Sequence, residues 1–176
     1  MSEQTKKEIY AWAKTIVFCF LLVFICRQFV FTPIIVDGKS MMPTLENNNR
    51  ILVNKITSND RFDVIVFHSP VSSAYYYIKR VIGLSGDNIE VKDDSLYVNG
   101  KKYDEPYLQA NKENLAKGNL TADLKETVPE GYLYVMGDNR LKSNDSRRFG
   151  FILKEDVVGK AALRFYPFDQ MKVINE

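Results

Sequence analysis

Residues 75–84 read YYYIKRVIGL. As a β-strand, this segment places Tyr77, Lys79 and Val81 on one face and Ile78, Arg80 and Ile82 on the other. Both faces are apolar apart from the two cations, the pattern of a central strand covered on both sides. A lysine set among Tyr and Val loses its water. Desolvation lowers its pKa, and the charge of neighbouring Arg80 pushes the same way. A neutral amine near pH 7 is a competent general base. A lysine that snorkels out at a strand end would carry no such role, and the segment alone leaves both open. Arg80, if buried, needs a carboxylate, for which Asp138 is a candidate.

Outward from this strand, short alternating or β-branched runs recur. They cover residues 34–36, 50–56, 63–67, 88–92, 95–98, 101–103, 132–136 and 157–166, with turn residues between most of them. Asn99-Gly100, between LYV and KKY, is a hairpin signal because a type I′ turn needs φ > 0 at both central positions. No long run in this region has a helical period. The expected fold is mostly β: a largely antiparallel, strongly bent, barrel-like domain. Residues 109–126 are polar and weakly patterned and are expected to form a surface excursion off the sheet.

The N-terminus is different in kind. Residues 16–26 read IVFCFLLVFIC, and apolar residues continue on both sides. The stretch 10–31 is long enough to cross a bilayer as a helix of roughly 20 residues. Tyr10 and Trp12 suit an interface. Lys6, Lys7 and Lys14 place the tail, residues 1–9, on the cytoplasmic side by the positive-inside rule. The remainder, residues 32–176, is then an extracytoplasmic β-rich domain. Bulky RQFVFTPII follows the apolar run, with no small-residue cleavage site, so the segment is expected to persist as an anchor.

Composition excludes several chemistries. The chain has 176 residues and a net charge of +2, which offers no basis for nucleic-acid binding. One histidine and two cysteines are too few for a structural zinc site, and no metal or cofactor is expected. His68, beside Ser69-Pro70, reads as a loop residue without a chemical role. Two segments remain besides the lysine strand. In residues 37–45, DGKSMMPTL, Gly38 permits an unusual backbone just before Ser40, and a serine in a tight turn can expose its hydroxyl. An ordinary strand-ending turn would use the same residues. Residues 137–150, GDNRLKSNDSRRFG, hold Asp138, Asp145, Ser143, Ser146 and three arginines, either as a solvated loop or as a hydrogen-bond scaffold for a catalytic group.

Together these segments resemble bacterial type I signal peptidases, the membrane-bound Ser-Lys leader peptidases. GKSMMPTL at 38–45 resembles the family's nucleophile box, DVIVF at 63–67 the next, KRVIGLSGD at 79–87 the lysine box, and GDNR with SNDSRRFG the last. The resemblance implies two antiparallel β-sheets behind one transmembrane helix. It implies Ser40 as nucleophile, Lys79 as general base, Ser143 as the group orienting the Lys79 amine, and the Ser40 backbone N–H in the oxyanion hole. Asp138 would pair with Arg80 and Asp145 with Arg147 as structural supports. Val36, Met41, Leu45, Tyr77 and Ile78 would line shallow pockets for small side chains of the Ala-x-Ala type. The implied partners are exported preproteins emerging from the secretion machinery, and membrane lipid.

Three positions depart from the family pattern. Gly38 stands where some members carry a serine that completes the oxyanion hole. Ser85 replaces a usual proline, and Arg61-Phe62-Asp63 replaces a more typical Gly-Asp. The short connection between Lys79 and Gly137 resembles the compact members of Gram-positive bacteria. Ser40 lies nine residues beyond Phe31, within roughly 30 Å of the membrane surface at full extension. A non-catalytic membrane-anchored β-domain, acting as a receptor or assembly factor, would also explain the anchor and the strands, but not Ser40, Lys79 and Ser143 in matching segments.

Overall fold

A computed structural model of the chain describes residues 3–56, 58–72 and 74–174. Its strands in chain order are β1 (Phe31–Ile35), β2 (Arg50–Asn54), β3 (Val64–His68), β4 (Tyr76–Gly83), β5 (Asn88–Lys92), β6 (Ser95–Val98), β7 (Lys101–Tyr103), β8 (Leu124–Thr127), β9 (Tyr132–Met136), β10 (Ile152–Leu153), β11 (Val157–Tyr166) and β12 (Lys172–Val173). Helices are α1 (Glu3–Ile25), α2 (Gln109–Glu113) and α3 (Ser146–Phe149). The larger sheet runs β1-β2-β11-β3-β4-β9-β10, with β12 paired to β11, and the smaller runs β7-β6-β5-β8. All pairings are antiparallel. The fold is thus the expected one: two antiparallel sheets behind an apolar N-terminal helix.

β4 takes the central place that its two-sided apolar pattern predicts, between β3 and β9. Residues of β4 from Lys79 onward are buried, while Tyr76 is exposed and Tyr77 and Ile78 are half-buried. Alternation then feeds different cores. Val81 packs with Ile65, Phe67, Leu133 and Val135. Ile82 packs with Ile89, Leu96, Val98 and Tyr134, between the two sheets. A third cluster, Val36, Met41, Leu45, Ile51, Val53 and Val64, lies under the loop that carries Ser40, with Ile78 packed against it. The Asn99-Gly100 turn has φ values of 53° and 77°, as a type I′ hairpin requires.

The structure adds detail at four places. The polar stretch 109–126 is not wholly outside the sheets: it contains α2, and β8 begins within it and pairs with β5. LKET turns only Leu124 inward, too little alternation to read. β10 and β12 have two residues each, below any periodic signal. His68 ends β3 rather than opening a loop, and stacks on Tyr76 with ring centroids 5.0 Å apart. Finally, no break separates a tail 1–9 from a span 10–31. Helix-forming Glu, Gln and Lys let α1 start at Glu3, where Glu3 pairs with Lys6. The helix ends in a five-residue π turn, Cys26–Val30, and β1 begins at Phe31. Met1 and Ser2 of that tail, and Asn175 and Glu176 at the other end, lie outside the described residues.

Helix α1 with its π turn is long and apolar enough to cross a membrane, and none of it is buried against the sheets.

Candidate active site

Residues 38–45 form a tight loop between β1 and β2. Gly38 has φ +97°, and its N–H donates to Asn47 Oδ1 at 2.9 Å, so a side chain there would strain the backbone just ahead of Ser40. Met41 and Leu45 anchor the loop in the core, and Leu45 N–H donates to the Met41 carbonyl at 2.9 Å. Ser40 is therefore held at the loop's crest, half-buried.

Lys79 reaches this loop from β4. Its Nζ donates to Ser40 Oγ at 2.8 Å and to the Ile78 carbonyl at 3.0 Å. Only 4% of Lys79 is exposed. Burial pushes the amine down to about 8, against Asp145 and Asp138, whose charges hold it up. The push expected from Arg80 is not a cause of the shift, because that guanidinium is matched by Asp138. Arg80 Nε and Nη2 donate to the two Asp138 oxygens at 2.9 and 2.6 Å. The Arg80 guanidinium also lies over the Tyr107 ring, 4.0 Å from its centroid. Thr44, from the Ser40 loop, donates its hydroxyl to the same carboxylate at 2.5 Å. One buried carboxylate thus ties the loop to the lysine strand.

Asp145 and Arg147 are likewise joined, by bonds of 2.7 Å from Nε and Nη2. Burial pushes the Asp145 carboxyl up, but the Arg147 bonds and charge, with the Gly137 N–H, hold it below the usual carboxylate range. Gly137 is a point of close approach. A Cβ there would overlap Ser143 Oγ and the Ser40 carbonyl oxygen, so only glycine lets these two segments meet.

Two placements differ from expectation. Ser143 Oγ is buried and faces the Asp145 carboxylate, which it helps to keep ionised, and it makes no bond to the Lys79 amine in this arrangement. The amine is satisfied by Ser40 and Ile78 instead. Leu45 does not line the groove beside Ser40. It is fully buried beneath the loop, because the turn points it into the core. Val36, Met41, Tyr77 and Ile78 do border that groove, a depression of about 560 Å³ that also touches Ser40, Lys79, Lys142 and Asn144.

Several contributors carried no clear signal. Asn139 N–H donates to the Ser40 carbonyl at 3.0 Å, and its side-chain amide to the Lys39 carbonyl at 3.0 Å. It lies inside the GDNR segment, whose charged residues draw attention first. Arg140 is buried and bonds Glu105, Thr121 and the Gly137 carbonyl, linking the last segment to the chain after β7. Asn111 comes from the polar stretch 109–126 that reads as surface, and Tyr107 from the short turn Pro106–Leu108 just before it.

The family model for signal peptidase, peptidase S26, matches residues 9–166. The chain belongs to this family. A signal peptidase I from Bacillus caldolyticus is 47% identical over 181 residues, covering 97% of each chain. Signal peptidase I S from Bacillus subtilis is 44% identical over 97% of this chain and 96% of its own. Signal peptidase IB from Staphylococcus aureus is 40% identical over 95% and 94%. The crystal structure of a signal peptidase I from Enterococcus faecalis superposes with a TM-score of 0.58 and 43% identity, over 60% of this chain and 97% of that one. The S26 family is a family of peptidases, so the site is to be understood as a hydrolase centre.

Proposed function

We propose that the chain is a membrane-anchored serine endopeptidase that removes N-terminal signal peptides from exported preproteins. It cleaves after small residues of the Ala-x-Ala type with a Ser40–Lys79 dyad. The observation that carries this reading is the 2.8 Å bond from a desolvated lysine amine to a serine hydroxyl, at the edge of an open groove.

In the reaction, neutral Lys79 takes the Ser40 proton as Oγ attacks the scissile carbonyl carbon. The carbonyl oxygen becomes an oxyanion. The Ser40 backbone N–H, which donates to no acceptor among the described residues, is the donor proposed to meet it. Collapse breaks the C–N bond, and the Lys79 ammonium protonates the leaving amine. Lys79, neutral again, then draws a proton from water as it attacks the ester, and Ser40 recovers its hydrogen when the ester C–O bond breaks. On this reading Ser143, buried against Gly137, orients the Lys79 amine once Ser40 has been acylated. Val36, Met41, Tyr77 and Ile78 supply the walls for the small side chains. Asp138 with Arg80, and Asp145 with Arg147, keep the two loops in register.

Residues 1–9 lie in the cytoplasm on this reading, 10–31 anchor the chain in the plasma membrane, and 32–176 work on the outer side. The substrate's apolar segment stays in the bilayer and presents the bond near the anchor.

The test is cleavage of a peptide carrying Ala at −3 and −1 by the purified full chain in detergent micelles. Lys79 must be unprotonated to act, so kcat/KM is expected to rise about tenfold per pH unit on the acid side and level off near pH 8. Absence of cleavage, or a flat profile between about pH 6 and pH 9, would overturn the reading.

A further inference from the structure

Asn111 lies on α2, a five-residue helix with no buried residue that belongs to neither sheet. Its side-chain amide has two N–H donors, and both are used. One meets the Met42 carbonyl at 3.1 Å, two residues beyond Ser40. The other meets the Asp138 carbonyl at 2.8 Å. Asp138 is followed by Asn139, which holds the Ser40 and Lys39 carbonyls. The bonds therefore close a ring: the Ser40 loop, Asn111, the Asp138 loop, Asn139, and the Ser40 loop again.

A cleft of about 590 Å³ lies beside Pro43 and Thr44 and is bordered on the other side by Gln109, Ala110 and Glu113 of α2. The Asn111 amide, on the same helix, bonds both the Ser40 loop and the Asp138 loop. The segment is seated from behind by Leu108, which is fully buried, and by the Tyr107 ring under Arg80. Asn111 lies outside the lining of the groove beside Ser40.

We propose that Asn111 is a positioning residue for the nucleophile: its amide pins the Ser40 loop against the Asp138 loop and so keeps Ser40 Oγ within bonding reach of Lys79. This rests on the dyad reading above. A displacement of about 1 Å at a reacting atom can cost on the order of a hundredfold in rate. A residue that sets position without touching substrate changes kcat rather than KM.

The test compares the full-length parent with Asn111→Ala, Asn111→Asp and Gln109→Ala. Gln109 shares the helix, and among the described residues its side-chain amide bonds only Glu113. Expected for Asn111→Ala is a kcat lower by about ten- to a hundredfold, with KM within about twofold of the parent. Water reaching a loosened Lys79 also moves the acid limb of the pH profile to higher pH. Asn111→Asp keeps the shape, sets a carboxylate against two carbonyls, and is expected to lose at least as much. Gln109→Ala is expected to match the parent. A kcat within about twofold of the parent in both Asn111 variants, or a loss confined to KM, would overturn the proposal. Amide hydrogen exchange gives a second measure, independent of turnover. Residues 39–45 and 137–140 should exchange faster in Asn111→Ala, with β5 to β7 unchanged. Unchanged exchange in the two loops would also overturn it. If the parent itself cleaves nothing, the dyad reading fails, and the exchange experiment still decides whether Asn111 holds the loop.

Discussion

Replacing Lys79 with methionine is expected to make the protein harder to unfold at pH 7 while abolishing cleavage. The two effects share one cause. Native Lys79 titrates near 8 because it is desolvated, whereas an unfolded lysine titrates near 10.5. Below pH 8 both states are protonated, and the native fold carries the whole penalty, about 3 kcal/mol from the difference between the two values. Between pH 8 and pH 10.5 the native amine has lost its proton while the unfolded chain keeps it, so stability rises with pH. Methionine fills the space without a charge. The lost bonds to Ser40 and Ile78 offset part of this, about 1 kcal/mol each. The net gain at pH 7 is expected as a rise of a few degrees in the thermal midpoint, roughly 2–4 °C per kcal/mol for a chain of this size. The gain should shrink toward pH 10. Activity should fall by about 10⁴-fold or more, as when one member of a nucleophile–base pair is removed, and Ser40→Ala should match it. Calorimetry at pH 7 and pH 10, with peptide cleavage alongside, decides the matter. Wild-type activity in either variant would refute the dyad, and a lower midpoint for Lys79→Met at pH 7 would refute the burial penalty.

Asp138→Ala is expected to lose more stability than any surface change. Asp138 is fully buried and receives Arg80 through two bonds and Thr44 through a third. Its removal leaves the guanidinium in the interior with, among the described residues, the Phe62 carbonyl at 2.7 Å and the Tyr107 ring. Breaking a buried pair from one side costs about 3–5 kcal/mol, a large part of the 5–15 kcal/mol that typically separates folded from unfolded domains. The Ser40 loop also loses its tie through Thr44, so residual folded protein should be slow as well as unstable. Urea unfolding of Asp138→Ala beside the parent measures this. A loss below about 1 kcal/mol would mean that the pair adds no net stability. The double variant Asp138→Ala, Arg80→Met removes both charges and should recover part of the loss.

The strands that build the site were legible because they are periodic. YYYIKRVIGL is apolar on both faces, and from Lys79 to Gly83 it is continuously buried; Asn99-Gly100 announces its turn by backbone chemistry alone. Ser40 and Lys79 were legible through the segments that carry them, since a glycine-led serine turn and a lysine in a covered strand are unusual combinations. What remained hidden depends on contacts distant in sequence. Asn111 bonds partners 69 and 27 residues away, and an amide in a polar stretch looks like any solvated side chain. Leu45 sits with Met41 in the core beneath the loop, and only Met41 also borders the groove, a difference set by the turn and not by alternation. The arrangement at Ser143 follows from the close approach to Gly137, which no spacing rule expresses. The early start of α1 depends on helix propensity in a charged stretch that hydropathy alone discounts.

The passage from α1 to the sheet contains no slack. The Phe31 N–H donates to the Cys26 carbonyl, Lys55 N–H to the Val30 carbonyl at 2.9 Å, and Lys55 Nζ to the Gln28 carbonyl at 3.0 Å, and β1 starts at once. A helix joined in this way cannot swivel freely beneath its domain. When lipid chains lengthen or shorten, a spanning helix answers by changing its tilt, and here the catalytic body would lean with it. The height of the serine above the headgroups then becomes a property of the host lipid as much as of the polypeptide, so bilayer thickness would help to select which bond along a substrate comes within range.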